Sequence, residues 1–291
     1  MYVIKIYDYA DKFMLGISKL SPGRIGNRLF HYNLLRQISK KTGIDYYHIK
    51  FPESQYFPEM RKKPRHWPNI NKPVEVFSRD LLAVSPEQFL ENILEQNQKG
   101  RDILFSPPML GETFFDYLFY DPNDFLIFGN KYMIEFNMTS ENSIIVGLHF
   151  RGSDFPAWDE KAALNYEYYE SAIDYCVNYF NNKKIFFCLF TDDLEYPAYK
   201  QTLLFLKSKK DNEILLGDPY KEPIYDFYRM SQCDVLISSP STFAIFAGIL
   251  GKRKKIIHNK DWLNYAVEKK DMFWVRLSDT TNPYYRLWKV F

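Results

Sequence analysis

From Ser143 to His258 the chain alternates two patterns, and that alternation limits its folds more than any other feature. Short runs rich in Ile, Val, Leu and Phe occupy Ser143–Phe150, Lys184–Phe190, Glu213–Leu216, Asp234–Ile237 and Lys254–His258. Helical patterns at Asn165–Phe180, Leu194–Lys209, Pro223–Ser231 and Ser241–Leu250 lie between most of them. Strands apolar on both faces need cover on both, and helix-length crossovers supply it. The spacing predicts a doubly wound, parallel α/β sheet.

The N-terminal part reads differently. Tyr2–Tyr7 and Phe13–Ser18 are strand-like, and Ser21–Asn27 is rich in breakers. A helix follows over Arg28–Thr42, with Leu29, Phe30, Leu34, Leu35 and Ile38 at helical spacing and Gly43 as its stop. Phe51–Pro73, dense in Pro, Lys and Arg, reads as irregular. Pro86–Lys99 reads as a helix capped by Ser85 with Pro at its first position. A chain of 291 residues suits two domains. We expect an N-terminal domain over 1–138, a second over 139–260, and a segment 261–291 packing back on the first.

Charge and cysteine content exclude several classes. Lys and Arg number 38 against 36 for Asp and Glu, a net charge of +2, so the basic excess of a nucleic-acid scaffold is missing. Cys176, Cys188 and Cys233 are odd in number, far apart and set in apolar stretches. They read as buried free thiols, not as a disulfide framework or a zinc site. No run approaches the ~20 apolar residues of a membrane span, and Met1–Gly16 lacks a signal-peptide core. These features predict a soluble, cytoplasmic protein, with at most peripheral attachment to a membrane face.

In open parallel sheets, ligands bind beyond the carboxyl ends of the strands. Three polar sets stand there: His149-Phe150-Arg151-Gly152-Ser153-Asp154, Thr191-Asp192-Asp193, and Ser238-Ser239-Pro240-Ser241-Thr242. Arg151, permanently charged and forked, suits a diphosphate. His149 reads equally as a ligand contact or a hydrogen-bonded structural histidine. Asp154 orients Arg151 or acts as a base. Ser241 and Thr242 open an apolar helix, which makes them caps and also places N–H groups ready for an anion. Gly23-Arg24-Ile25-Gly26-Asn27 lacks the third glycine of the dinucleotide fingerprint, which counts against a nicotinamide or flavin enzyme. Asp192-Asp193 has neither D-x-D spacing nor a neighbouring metal partner, so no metal is expected. P-loop, G-x-S-x-G and H-E-x-x-H motifs do not occur.

Taken together, the motifs resemble those of the fucosyltransferase superfamily, in particular bacterial-type α1,2-fucosyltransferases of glycosyltransferase family 11, with similarity to protein O- and α1,6-fucosyltransferases. Gly23 to Phe30 is similar to G-x-x-G-N-Q-x-F, with Arg28 at the Gln. His149 to Asp154 is similar to H-x-R-R-x-D, with Gly152 at the second Arg. Asp226 to Cys233 with Ser238 to Phe243 is similar to D-x-x-x-M-S-x-C followed by S-x-S-x-F, and Thr191-Asp192-Asp193 to S-D-D. The four stand in family order across most of the chain.

The resemblance implies a GT-B-like architecture of two Rossmann-like domains facing across a cleft. It implies GDP-fucose as the donor, a glycan as the acceptor, and no cofactor or metal. Donor-binding residues would be Asn27, His149, Arg151, Asp192, Asp226, Ser241 and Thr242. Arg151 would meet the β-phosphate, Asp226 the guanine edge, and Ser241 and Thr242 phosphate. Arg151 and Asp154 would be catalytic, with Asp159 or Glu160 as further candidates for the base. A different nucleotide-sugar donor, such as a UDP-linked one, and a non-catalytic nucleotide- or glycan-binding module are the alternatives.

Overall fold

The structure, a computed structural model, describes residues 13–18, 24–61, 73–76, 84–106, 142–158, 163–209, 213–217, 221–250, 255–258 and 287–290. The strand expected at Tyr2–Tyr7 and most of the expected domain boundary lie outside them.

Among the described residues the first unit holds a three-stranded parallel sheet of β1 (Leu15–Ile17), β2 (Val74–Val76) and β3 (Ile103–Phe105), ordered β1-β3-β2. Helix α1 (Ile25–Thr42) ends on Gly43, which adopts φ 73° and donates its N–H to Ser39 O at 2.8 Å. Only a residue free of a Cβ takes that left-handed position without cost. Phe51–Pro73 was expected to be irregular, yet its described part coils into a 3-10 turn (Pro52–Tyr56) and a short helix α2 (Pro58–Arg61). Each starts on a proline, and Phe51, Tyr56, Phe57 and Met60 are buried. Those four anchors stabilise turns that the charged composition hides. Helix α3 (Pro86–Gln98) is capped as expected, the Ser85 hydroxyl accepting from Gln88 N at 3.2 Å.

Among the described residues the second unit carries six parallel strands: β4 (Ser143–Phe150), β5 (Lys184–Thr191), β6 (Glu213–Leu216), β7 (Val235–Ile237), β8 (Lys255–His258) and β9 (Leu287–Val290). Their order, β6-β5-β4-β7-β8-β9, is the 3-2-1-4-5-6 succession of the doubly wound nucleotide-binding fold. Its helices are α4 (Phe155–Trp158), α5 (Tyr166–Tyr179), α6 (Pro197–Ser208), α7 (Pro223–Gln232) and α8 (Thr242–Leu250). Segment 261–291 was expected against the first domain. Its described residues, Leu287–Val290, instead pair with β8 and extend this second sheet.

The architecture is α/β and GT-B-like, built on two separate parallel sheets. The two units meet through α1, which is buried on nearly every side. Leu34, Leu35 and Ile38 join the core of the first sheet, together with Leu15, Ile103 and Phe105. One turn earlier, Ile25, Leu29 and Tyr32 share a core with Phe190, Phe227, Leu236 and Phe246 of the second unit. Its buried faces include the polar His31, Asn33, Arg36 and Gln37 as well as apolar residues, so packing between two layers, and not an all-apolar girth, leaves this helix with little solvent face. Among the described residues no helix is long and apolar enough to cross a membrane. The three cysteines are buried and free, as expected.

Candidate active site

Strand order creates the site. The succession reverses between β4 and β7, and in such sheets that reversal opens a crevice at the carboxyl ends. His149, at the end of β4, places Nδ1 2.7 Å from the Ser239 hydroxyl after β7. This bond ties together two of the three polar sets found in the sequence. Burial drives the His149 pKa down to about 4, with Arg151 adding to the fall and Asp192 opposing it. The imidazole is therefore neutral near pH 7. Tyr169 donates its hydroxyl to His149 O at 3.0 Å, holding the strand end from the other face.

A depressed histidine pKa makes stability pH-dependent. The unfolded chain takes up a proton below about pH 6.5, and the folded chain takes it only near 4. Stability present at pH 7 is thus lost as pH falls through that window, by up to ~3 kcal/mol. Urea midpoints at pH 7.5 and 5.0 should show the loss, and His149→Gln should flatten it.

Arg151 stands just past the strand with only 12% of its side chain exposed. Its Nη1 donates to Asp192 Oδ2 at 2.5 Å, and Nη2 lies 2.7 Å from Asp154 Oδ1. The guanidinium carbon sits 5.2 Å from the centre of the Phe155 ring. Nε is buried and finds no acceptor. An orphaned buried donor of a charged group is costly, and such groups mark places where a ligand completes the bonding.

Asp192 organises the loop. It accepts from Gly152 N at 2.9 Å, from Ser153 N at 3.3 Å and from Ser153 Oγ at 2.7 Å, besides Arg151. Burial raises its pKa, but Arg151, Gly152 N–H and the Ser153 hydroxyl outweigh burial and hold it below the usual carboxylate range. Gly152, where the motif leads one to expect a second Arg, has a packing reason. A Cβ there would stand 2.7 Å from both Cβ and Cγ of Tyr196. The tyrosine is fixed by its own hydroxyl bond to Leu164 O. With that ring in place, no side chain fits at position 152.

The third polar set meets the first unit. Ser241 is buried, and its carbonyl accepts from Ile245 N at 3.0 Å, the first bond of α8. Thr242 Oγ1 donates to Asn27 Oδ1 at 2.7 Å across 215 residues of sequence. Asn27 therefore lies inside the first turn of α1 instead of capping it. Arg24 holds the cap position and makes no side-chain cap bond. Gly26 explains the approach: a Cβ on it would fall 2.6 Å from Phe243 N and 2.7 Å from the Thr242 carbonyl carbon. The amino ends of α1 and α8 thus abut, bringing two positive dipole ends to one place.

Asp226 sits two strands away from β4, in the first turn of α7, with its carboxylate packed beside Gly217. Gly217 N–H donates to Leu189 O at 2.7 Å, which sets this carboxylate at the carboxyl ends of β5 and β6. Arg229 Nη1 lies 3.9 Å from Asp226 Oδ1. Asp159 and Glu160 lie outside the described residues. Sequence reasoning passed over Ser153, Ser239, Phe155 and Gly26. The first three stood within or beside the polar sets, while Gly26 was read only as part of the segment similar to G-x-x-G-N-Q-x-F, with no packing partner named for it.

A parallel sheet in the doubly wound order, with an arginine, ordered carboxylates and two helix amino ends at its reversal point, belongs to the nucleotide-binding transferase class. The model of glycosyl transferase family 11 matches residues 117–276, over half of the chain. The chain belongs to that family, and it is a glycosyltransferase. A solved structure of a mutant of Arabidopsis thaliana FUT1 in complex with GDP is similar, with a TM-score of 0.48 and 11% identity, covering 86% of this chain and 71% of that one. No curated protein sequence matches the chain.

Proposed function

We propose that the enzyme transfers fucose from GDP-fucose to a hydroxyl of a glycan acceptor, with inversion at the sugar carbon and without a metal. The observation that carries this reading is Arg151: a nearly buried guanidinium at the sheet's reversal point whose Nε lacks an acceptor. Across the carboxyl edge the proposed donor residues follow the strand order: Asp226 by β6, Asp192 after β5, His149 at the end of β4 with Arg151 just past it, Ser241 and Thr242 after β7. Three strand spacings of about 4.8 Å span roughly 14 Å, comparable with an extended nucleoside diphosphate. Asp226 would accept from the guanine edge and Arg151 would hold the β-phosphate.

In the transfer step the acceptor oxygen attacks the anomeric carbon from the face opposite the leaving group. The bond from that carbon to the β-phosphate oxygen breaks, and GDP departs with the electron pair. The acceptor proton passes to a carboxylate, for which Asp154 is our choice. Negative charge growing on the diphosphate is met by Arg151 and by the positive amino end of α8 at Thr242. Asn27, bonded to Thr242, brings the first domain to the donor.

Calorimetric titration with GDP and UDP, in excess chelator throughout, tests the donor. We expect GDP to bind more tightly, and Asp226→Ala to weaken GDP by about 1–3 kcal/mol while leaving UDP unchanged. A preference for UDP with Asp226→Ala neutral would replace GDP-fucose by a UDP-linked donor on the same scaffold.

A further inference from the structure

Arg151 is held by two carboxylates that differ in kind. Asp192 has only 22% of its side chain exposed and accepts from three other groups of the same loop. It forms part of the loop's own framework. Asp154 is 55% exposed, and both of its oxygens crowd one nitrogen, Nη2, at 2.7 and 2.8 Å. Exposed ion pairs of this kind hold weakly, because water competes for both partners.

The edge that Asp154 half covers is the edge that matters. Nε and Nη2 form the fork that grips two oxygens of a phosphate in parallel bonds. Asp154 satisfies Nη2 alone and leaves Nε buried without an acceptor. A phosphate carries enough oxygens to satisfy both nitrogens together, which a carboxylate seated on Nη2 does not.

We propose that Asp154 is a built-in competing anion: it occupies the phosphate-gripping edge of Arg151 and is displaced when a diphosphate binds. The inference rests on the Arg151–diphosphate reading above. Asp154 then lowers the apparent affinity for the donor by the fraction of time it spends on Arg151. Displacement also frees its carboxylate from the ion pair, leaving it available to swing toward the acceptor side and take the acceptor proton.

The test is titration of GDP into the full-length wild type and into the Asp154→Asn, Asp193→Asn and Arg151→Ala variants, with kcat measured alongside. Asp154→Asn should bind GDP about three- to tenfold more tightly, with a steeper dependence on added salt, while its kcat falls. Asp193 is the control for local charge, since its carboxylate serves Glu195 N at 2.8 Å and makes no bond to Arg151. Its variant should stay within twofold of wild type. Unchanged or weaker GDP binding by Asp154→Asn, with Arg151→Ala still losing GDP, overturns the competition and leaves the diphosphate reading standing. Equal tightening by both Asn variants also overturns it, because net charge alone would then account for the gain. GDP binding unaffected in Arg151→Ala overturns the diphosphate reading and this inference together. Should UDP prove the better ligand, the same four proteins are compared with UDP. Asp154 is exposed, so loss of the fold is not expected, and thermal melts verify it.

Discussion

Arg151→Ala should lower transfer about a hundredfold to a thousandfold, equivalent to about 3–4 kcal/mol of lost transition-state stabilisation. The magnitude follows from the role: a fixed positive charge aimed at a leaving group that gains negative charge acts mostly in the transition state. Stability should fall as well. Removing one partner of a buried ion pair commonly costs about 3–5 kcal/mol, because the other charge is left alone. Here Asp192 retains Gly152 N–H, Ser153 N–H and Ser153 Oγ, so about 1–3 kcal/mol is a fairer expectation. The far-ultraviolet circular dichroism should stay native, and the two effects separate in a urea titration run beside the kinetics. Arg151→Lys should recover stability better than rate, since lysine restores the charge and not the fork. A variant without Arg151 that transfers sugar at near-normal rate would remove the diphosphate role.

Gly26→Ala should be among the most damaging single-methyl changes at the described glycines. By helix propensity alone, alanine in this first turn would stabilise α1, by less than the ~1 kcal/mol of a helix interior. The new Cβ, however, would stand 2.6 Å from Phe243 N and 2.7 Å from the Thr242 carbonyl carbon, and both are backbone atoms. Backbone at the head of α8 has little room to retreat, because Ala244, Ile245 and Phe246 are locked in the core shared with α1. Overpacking against a rigid neighbour commonly costs about 1–3 kcal/mol or more, and with backbone on the other side the upper end applies. A net loss of at least ~2 kcal/mol is expected, seen as a lower urea midpoint. Donor affinity should fall with it, because the Asn27–Thr242 bond would be prised apart. Stability equal to or above wild type would show that the two helix ends are not in contact.

Much of the second unit was legible in the sequence. Its strands are apolar on both faces, and only a doubly covered parallel sheet accommodates such runs. That pattern puts His149, Arg151, Asp192 and Ser241 at strand ends and helix starts, while Asp226 is singled out by the resemblance to the family's motifs. Gly43 and Ser85 were readable for a local reason, since each does its work within four residues of chain. The start of α1 was not readable. Gly26 and Asn27 look like loop residues, and they become helical because Thr242 and Phe243 pack against them from 215 or more residues away. The turns at Pro52–Arg61 were hidden for a related reason: charged and proline-rich composition conceals four aromatic or apolar anchors that matter only once a core exists to receive them.

Gly152 and Arg151 mark the division most clearly. The sequence by itself determined that an arginine would stand at a strand end, that one charge of the related motif would be missing beside it, and that carboxylates would be near in number. Only the tertiary structure decided why and how. Tyr196 fills the space a second side chain would need, Asp192 turns inward to bind the loop, and Asp154 remains outside on the working edge of the guanidinium. The physical reason is range: hydrophobic periodicity and capping act over a few residues, whereas these contacts join β4 to the end of β5 some forty residues away.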